Sequence, residues 1–308
     1  MAYADGKYPL YLYTKDEKEE IRKEFGLNDS VLEDDIDAII EWFEMQPHLV
    51  GAGIPNREFI ERMLLFAKGS REKTKHRIDK YYRYSALAPE LVQNLEDQIE
   101  CDQKFYRLTV IPKLYNLKRI TILTFNDVDP SKCFTDMILR GCLMQTVIRL
   151  KYDYTIGDIW IVDFTNIGVS HLLRLNLPMT QRATQIFQDG MGVRIFGIHV
   201  LGAPFFANQI ISIFKRFVKQ KIIERVVIHD SLDSIYKFIP KSHLPKEYGG
   251  EEWAFEEFQE TYLKVVKSDD TRKVLRMRNM QVSDESRRPR DCNSEEYIAG
   301  TFKKLEVD

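Results

Sequence analysis

The chain has 308 residues, 44% hydrophobic and 30% charged, which supplies enough apolar side chains for one large domain or two moderate ones. A formal net charge of -2 gives no call for nucleic acid as a partner, although an even total hides local basic patches. No apolar run nears the roughly 18 residues needed to span a bilayer, so any membrane contact is expected to be peripheral.

The stretch from Met1 to Leu10 contains Asp5 and Pro9 and has no cationic start followed by an apolar run, unlike a secretory leader. Cys101, Cys133, Cys142 and Cys292 lack CxxC spacing, and free thiols in a cytoplasmic protein are expected. From about 15 to 100 the pattern is helical. Leu32, Ile36, Ile39, Ile40 and Phe43 form one stripe, with Asp29 or Ser30 as cap and Pro47 as stop. Phe59, Met63 and Phe66 form a second stripe, and Ile78, Tyr81 and Tyr82 a third, closed by Pro89. Short connections predict a small antiparallel bundle.

After about residue 105 the character changes. Compact β-branched runs stand at 120–125, 159–164, 193–201 and 225–229, separated by segments of helical length near 132–152, 170–189 and 204–221. This alternation predicts right-handed crossovers and a largely parallel sheet, hence an α/β fold. One more amphipathic helix is expected from Glu251, with Phe255, Phe258, Tyr262 and Val265 on its apolar side. Residues near 267–297, including Ser286-Arg-Arg-Pro-Arg290, read as a mobile charged tail, basic in its middle. The expected domains are 1–104 (helical), 105–250 (α/β) and 251–308 (helix and tail).

Catalytic signatures fail. There is no GxxxxGK[ST] loop and no HExxH pair; Gly190-x-Gly192 lies in the wrong order for a dinucleotide loop. Gly168-Val-Ser170 continues to Leu172, so no GxSxG elbow forms. His229, Asp230, Ser231 and Asp233 read as a strand end followed by a helix-capping residue, and no metal constellation joins His171, His199 and His229. Asp163 reads as a side chain that hydrogen-bonds backbone at a strand-to-turn step. The expectation is a non-enzyme with no catalytic residue, metal or cofactor. The 204–221 segment carries more apolar residues than one face needs. Either it is buried on two sides, or its inner side lines a lipid cavity and its outer side meets a bilayer.

Three ordered motifs carry a family resemblance: Gly157-Asp-Ile-Trp-Ile-Val-Asp163-Phe-Thr-Asn-Ile-Gly168 with His171, Gly197-Ile-His-Val-Leu-Gly-Ala-Pro204, and Leu244-Pro-Lys-Glu-Tyr-Gly-Gly250. Together they resemble CRAL-TRIO lipid-binding domains of the alpha-tocopherol-transfer-protein-like and cellular retinaldehyde-binding-like branch. The 15–100 block resembles the helical CRAL-TRIO-N domain. The resemblance implies a lipid cavity under a gate helix and a ligand such as a retinoid, carotenoid, tocopherol or similar lipid, transferred between membranes. It implies ligand contacts at Met137, Met144, Val162, Ile186, Phe187 and Ile198, and at Phe206, Ile210 and Phe214 of the gate. It also implies phosphoinositide or anionic-membrane contacts at Arg194, Lys221 and Arg225, and transient membrane association. Two family basic positions are lost, at Phe196 and Leu65, which leaves phosphate capture weaker. A phosphoinositide-sensing adaptor without lipid transfer is the alternative.

Overall fold

The computed structural model describes residues 8–101, 105–126, 129–132, 135–203, 205 and 207–289. The first part is a helical block. Helix α1 (Lys15–Glu24) starts with a reciprocal box, Thr14 Oγ1 accepting from Glu17 N at 3.1 Å and the Glu17 carboxylate accepting from Thr14 N at 2.6 Å. Helix α2 (Asp29–Glu44) is capped by Asn28, one residue before the expected Asp29 or Ser30, because the Asn28 side chain reaches Val31 N at 3.0 Å. Helix α3 (Arg57–Phe66) and helix α4 (Arg71–Leu87) are capped by Asn56 and Ser70. Leu32, Ile36, Ile39 and Phe43 of α2 are buried as their spacing predicts. Residues 59–66 are buried around the whole of α3, which packs against α2, α4 and helix α5 (Thr135–Tyr152). Leu65 is thereby a core residue with no solvent exposure.

Among the described residues the sheet has five strands in the order β1 (Tyr106–Val110), β2 (Arg119–Phe125), β3 (Asp158–Asp163), β4 (Ile195–Leu201) and β5 (Val226–Ile228). β1 pairs antiparallel with β2 and every later pair is parallel, so the mixed, largely parallel α/β sheet is as expected. β1 is an addition to the sequence reading. It reaches β2 through a tight reversal in which Asn116 and Leu117 adopt positive φ of 48° and 62°.

Alternation along the strands gives the sheet two different faces. Ile120, Ile122, Ile159, Ile161 and Leu201 join the main core, together with Ile235, Ile239, Leu244 and Tyr248 from the segment after β5. The opposite, front face carries Tyr106, Leu108 and Leu123, which pack on Cys142 of α5 beside half-buried Ile138, Trp160 and Val162. A buried ionic cluster fixes α5 over the sheet. Arg119 donates to Asp153 at 2.6 Å, and Arg149 donates to Asp153 at 2.9 Å and pairs with Asp158. The two guanidiniums hold the Asp153 carboxyl down near 2, against the upward push of burial.

Three expectations need correction. The 204–221 segment is not one helix: helix α7 covers Ala207–Phe214, turns follow, and a short helical turn covers Gln220–Ile223. The preceding segment also breaks, into Val169–Leu172 and helix α6 (Leu177–Gln185), whose end widens into a π turn at Ile186–Gly190. The mobile-tail reading fails as well. After helix α8 (Phe255–Val266), helix α9 (Asp269–Asn279) packs on α5, and the chain returns along the helical block. There Asp284 N donates to His48 O at 2.8 Å, and Arg288 pairs with Asp79 at 2.9 Å. Arg276 and Arg288, taken for charges of that tail, are bound to Glu96 and Asp79, far away in sequence, while Arg287 pairs locally with Asp284. Arg290 and residues 291–308 lie outside the described residues.

Candidate functional site

The front face of the sheet is left partly open. Trp160, Val162 and Ile198 point to it and are half-buried, while their neighbours Ile159, Ile161 and His199 on the other face are buried. The chain leaves β4 at Gly202 and then forms α7. Ile210, Ile211, Ile213 and Phe214 are all half-buried, and none of the residues from 208 to 221 is fully buried. Among the described residues no other element packs extensively by backbone against α7. A helix this apolar whose side chains stay half-buried leaves part of its apolar surface uncovered by the described residues. Of the two readings of this segment, burial on two sides is not what the structure has.

The turn after β3 anchors the start of this excursion. Asp163 Oδ1 accepts from Thr165 N at 2.9 Å and Oδ2 accepts from Tyr248 Oη at 2.7 Å, so the carboxylate ties the turn to the segment behind the sheet. That is the backbone-bonding role expected of Asp163. Gly202, with φ 56°, lies against this turn; a Cβ there would sit 2.6 Å from Thr165 N. Only glycine fits that approach. Phe205, next to it, is 89% exposed.

The expected ligand-contact residues divide. Val162 and Ile198 stand half-buried on the front face, half-buried Phe187 packs against the cluster there, and Ile210 and Phe214 are half-buried on α7. Met137 is half-buried on α5, its carbonyl accepting from Tyr106 Oη at 3.3 Å. Met144 and Ile186 have no accessible surface and belong to the main core, so they line no open space here. Phe206 lies outside the described residues. His199 and His229 form a buried pair, Nδ1 to Nε2 at 2.9 Å, and His229 Nδ1 meets Ser234 Oγ at 2.7 Å. Burial, then the neighbouring His229, pushes His199 down to about 4. Ser231 takes the helix-start position but makes no capping bond with its side chain.

At the other end of the 202–225 excursion lies a cationic recess of about 130 Å³. Arg194, Lys221 and Arg225, singled out in the sequence, come together in its wall. Lys219 joins them, as do Lys68 and Arg77 from the helical block. Burial first, then the other cations, pulls Lys221 below its ordinary value, and burial followed by Arg194 does the same to Arg77. Arg77 and Arg194 each keep a buried Nη1 with no hydrogen-bond partner. Lys219 pairs with Asp189 at 2.7 Å, which offsets only part of the charge. Phe196, standing where the resemblance leads one to expect a cation, lies 5.1 Å from the Arg194 guanidinium and 5.8 Å from that of Arg225, and stiffens them by cation–π attraction. Gly192 makes room: a Cβ there would lie 2.7 Å from the Arg77 guanidinium. Sequence reasoning missed Lys68 and Arg77 because they stand over a hundred positions earlier; the only signal was the basic content of Arg71–Lys80.

Residues 115–250 match the model of the CRAL/TRIO domain. The chain is 32% identical over 108 residues to "Alpha-tocopherol transfer protein-like" of Homo sapiens, covering 35% of this chain and 32% of that protein. The match thus spans about a third of the length of that relative. It is 24% identical over 245 residues to "Clavesin-1" of Rattus norvegicus, covering 75% of this chain and 67% of that protein. The crystal structure of Sfh5 superposes with a TM-score of 0.39 at 12% identity, over 80% of this chain and 92% of that one.

Proposed function

We propose that the chain, whose residues 115–250 match the model of the CRAL/TRIO domain, holds one hydrophobic small molecule between the front face of the sheet and α7 and carries it between membranes. The single observation that carries this reading is α7 itself, whose apolar side chains Ile210, Ile211, Ile213 and Phe214 stay half-buried. The printed name of the tocopherol-transfer-like relative supports the same class of activity. A lipid with about 20 methylenes would gain on the order of 16 kcal/mol at ~0.8 per CH₂. A bilayer offers nearly the same relief, so net transfer is close to balanced and the rate is set by opening of the 202–225 excursion at a membrane surface.

In this reading the cationic recess meets an anionic headgroup, a phosphoinositide being the expected one, and so holds the opening excursion against the membrane. The protein works in the cytoplasm, associates with membranes transiently, and needs no catalytic residue or cofactor. Among the described residues no helix is long and apolar enough to cross a membrane, in keeping with peripheral contact. The recess also favours the second reading, an adaptor that senses phosphoinositides without moving lipid. Liposome-to-liposome transfer separates the two. Carriage of a fluorescent lipid from donor to acceptor vesicles supports transfer, whereas vesicle binding without carriage supports the adaptor.

A further inference from the structure

Helix α6 does not end in an ordinary turn. Residues Ile186–Gly190 widen into a π turn, closed by Met191 N donating to Ile186 O at 2.7 Å. Such turns are rare and recur at functional sites. This one is a fixed platform packed against α4. Ile186 is fully buried, and a Cβ on Gly190 would stand 3.2 Å from the Tyr84 ring and 3.3 Å from Tyr81 Cα. Two residues of the turn, Gln188 and Asp189, reach across to the far end of the 202–225 excursion. Gln188 Nε2 donates to Phe217 O at 3.3 Å, and Gln188 Oε1 accepts from Lys219 N at 3.0 Å. One carboxamide thus supplies the donor and the acceptor that a neighbouring strand would offer. Asp189 adds an ion pair with Lys219 Nζ at 2.7 Å.

These bonds matter because α7 has no polar tie of its own. Among the described residues no side chain from 207 to 216 makes a hydrogen bond or an ion pair. The tie at 217–219 is also of a kind that lets go. Lys219 and Asp189 are 48% and 30% exposed, where an ion pair contributes little, and two neutral hydrogen bonds add a modest net gain. Burial pushes Lys80 of α4 down, and the nearby Asp189 carboxylate acts the other way, so that carboxylate keeps a cation beside it when Lys219 departs. Resting on the lipid-carrier reading above, we propose that Gln188 is a positioning residue which, with Asp189, latches the Phe217–Lys219 end of the excursion and sets how often it opens. The helical block, through Tyr81 and Tyr84 behind the π turn, thereby governs the movement of α7.

Hydrogen–deuterium exchange of the full chain, followed by mass spectrometry, reads the latch without cargo. Gln188→Met keeps the length of the side chain and removes both of its bonds. Amides of 207–219 should then exchange about tenfold faster, while those of β3 and β4 keep the wild-type rate. Gly190→Ala, which crowds the π turn against Tyr81 and Tyr84, should act in the same direction with Gln188 intact, and serves if Gln188→Met does not fold. Wild-type exchange of 207–219 in both variants overturns the latch. Loosening that spreads to β3 and β4 also overturns it, since Gln188 would then support the fold at large. Where 207–219 alone speeds up, transfer of a fluorescent lipid from donor to acceptor vesicles should speed up with it. A loosened variant that carries lipid at the wild-type rate overturns the rate-setting role. Loosening in the variants with no carriage by any form, wild type included, leaves the latch standing and sinks the carrier reading.

Discussion

Replacing Arg77 with Leu should make the protein more stable and a poorer anion binder, two effects of opposite sign. In the cationic recess Arg77 faces Arg194, Lys221 and Arg225, is pulled below its ordinary value by burial and by Arg194, and keeps one buried Nη1 without a partner. Removing a crowded, incompletely bonded cation relieves repulsion worth a few tenths to about 1 kcal/mol at a partly solvated site. An anion in the recess would instead lose a charge-assisted hydrogen bond of roughly 1.5–3 kcal/mol, or about 10- to 100-fold in affinity. Thermal unfolding with and without a soluble inositol phosphate reads both effects. The variant should begin with a higher Tm than wild type and gain less from the anion. A variant that begins lower and responds to the anion as wild type does would refute the reasoning, since Arg77 would then be a structural residue.

Ile210→Asp on α7 should abolish retention of cargo with little loss of stability, because an ionised carboxylate is strongly disfavoured against an apolar chamber while the position is only half-buried; unchanged occupancy by lipid mass spectrometry would contradict this. Gly202→Ala should lower stability by about 1–3 kcal/mol, since φ is 56° and the new Cβ meets Thr165 N at 2.6 Å; a Tm within a degree of wild type would count against the close approach. Stability should also fall in acid through the histidine pair. The folded state holds His199 neutral down to about 4, whereas the unfolded chain takes up a proton near 6.5, so stability declines as pH falls between those values. The full loss is at most about 3 kcal/mol by the shift, and His199→Gln should lose less over that window; equal losses would remove the pair from the acid response.

Much of the α/β half is legible because its strands are compact β-branched runs, such as Ile159–Val162, bounded by turn residues. β1 escapes that rule: Tyr-Arg-Leu-Thr-Val is short, carries an arginine, and gains strand character only from pairing with β2. α5 was hard to phase because it is apolar on nearly every side, with Leu143, Met144, Val147 and Ile148 buried as well as Cys142. Periodicity alone therefore does not separate Met144, in the core, from half-buried Met137. The 204–221 segment reads as continuous because its apolar residues are, yet turns take over after Phe214 around Lys215 and Arg216. α9 was lost for the opposite reason: its row of acids and bases looks solvated until Arg276 is seen paired with Glu96 at 2.9 Å.

Photo-labelling with a diazirine-bearing fatty alcohol bears most directly on whether cargo sits between the sheet and α7. After irradiation and digestion, adducts should map to Trp160, Val162, Ile198 and the 207–214 helix, and excess unlabelled hexadecanol should compete them away. Adducts confined to other surfaces, or labelling that no competitor reduces, would contradict the account.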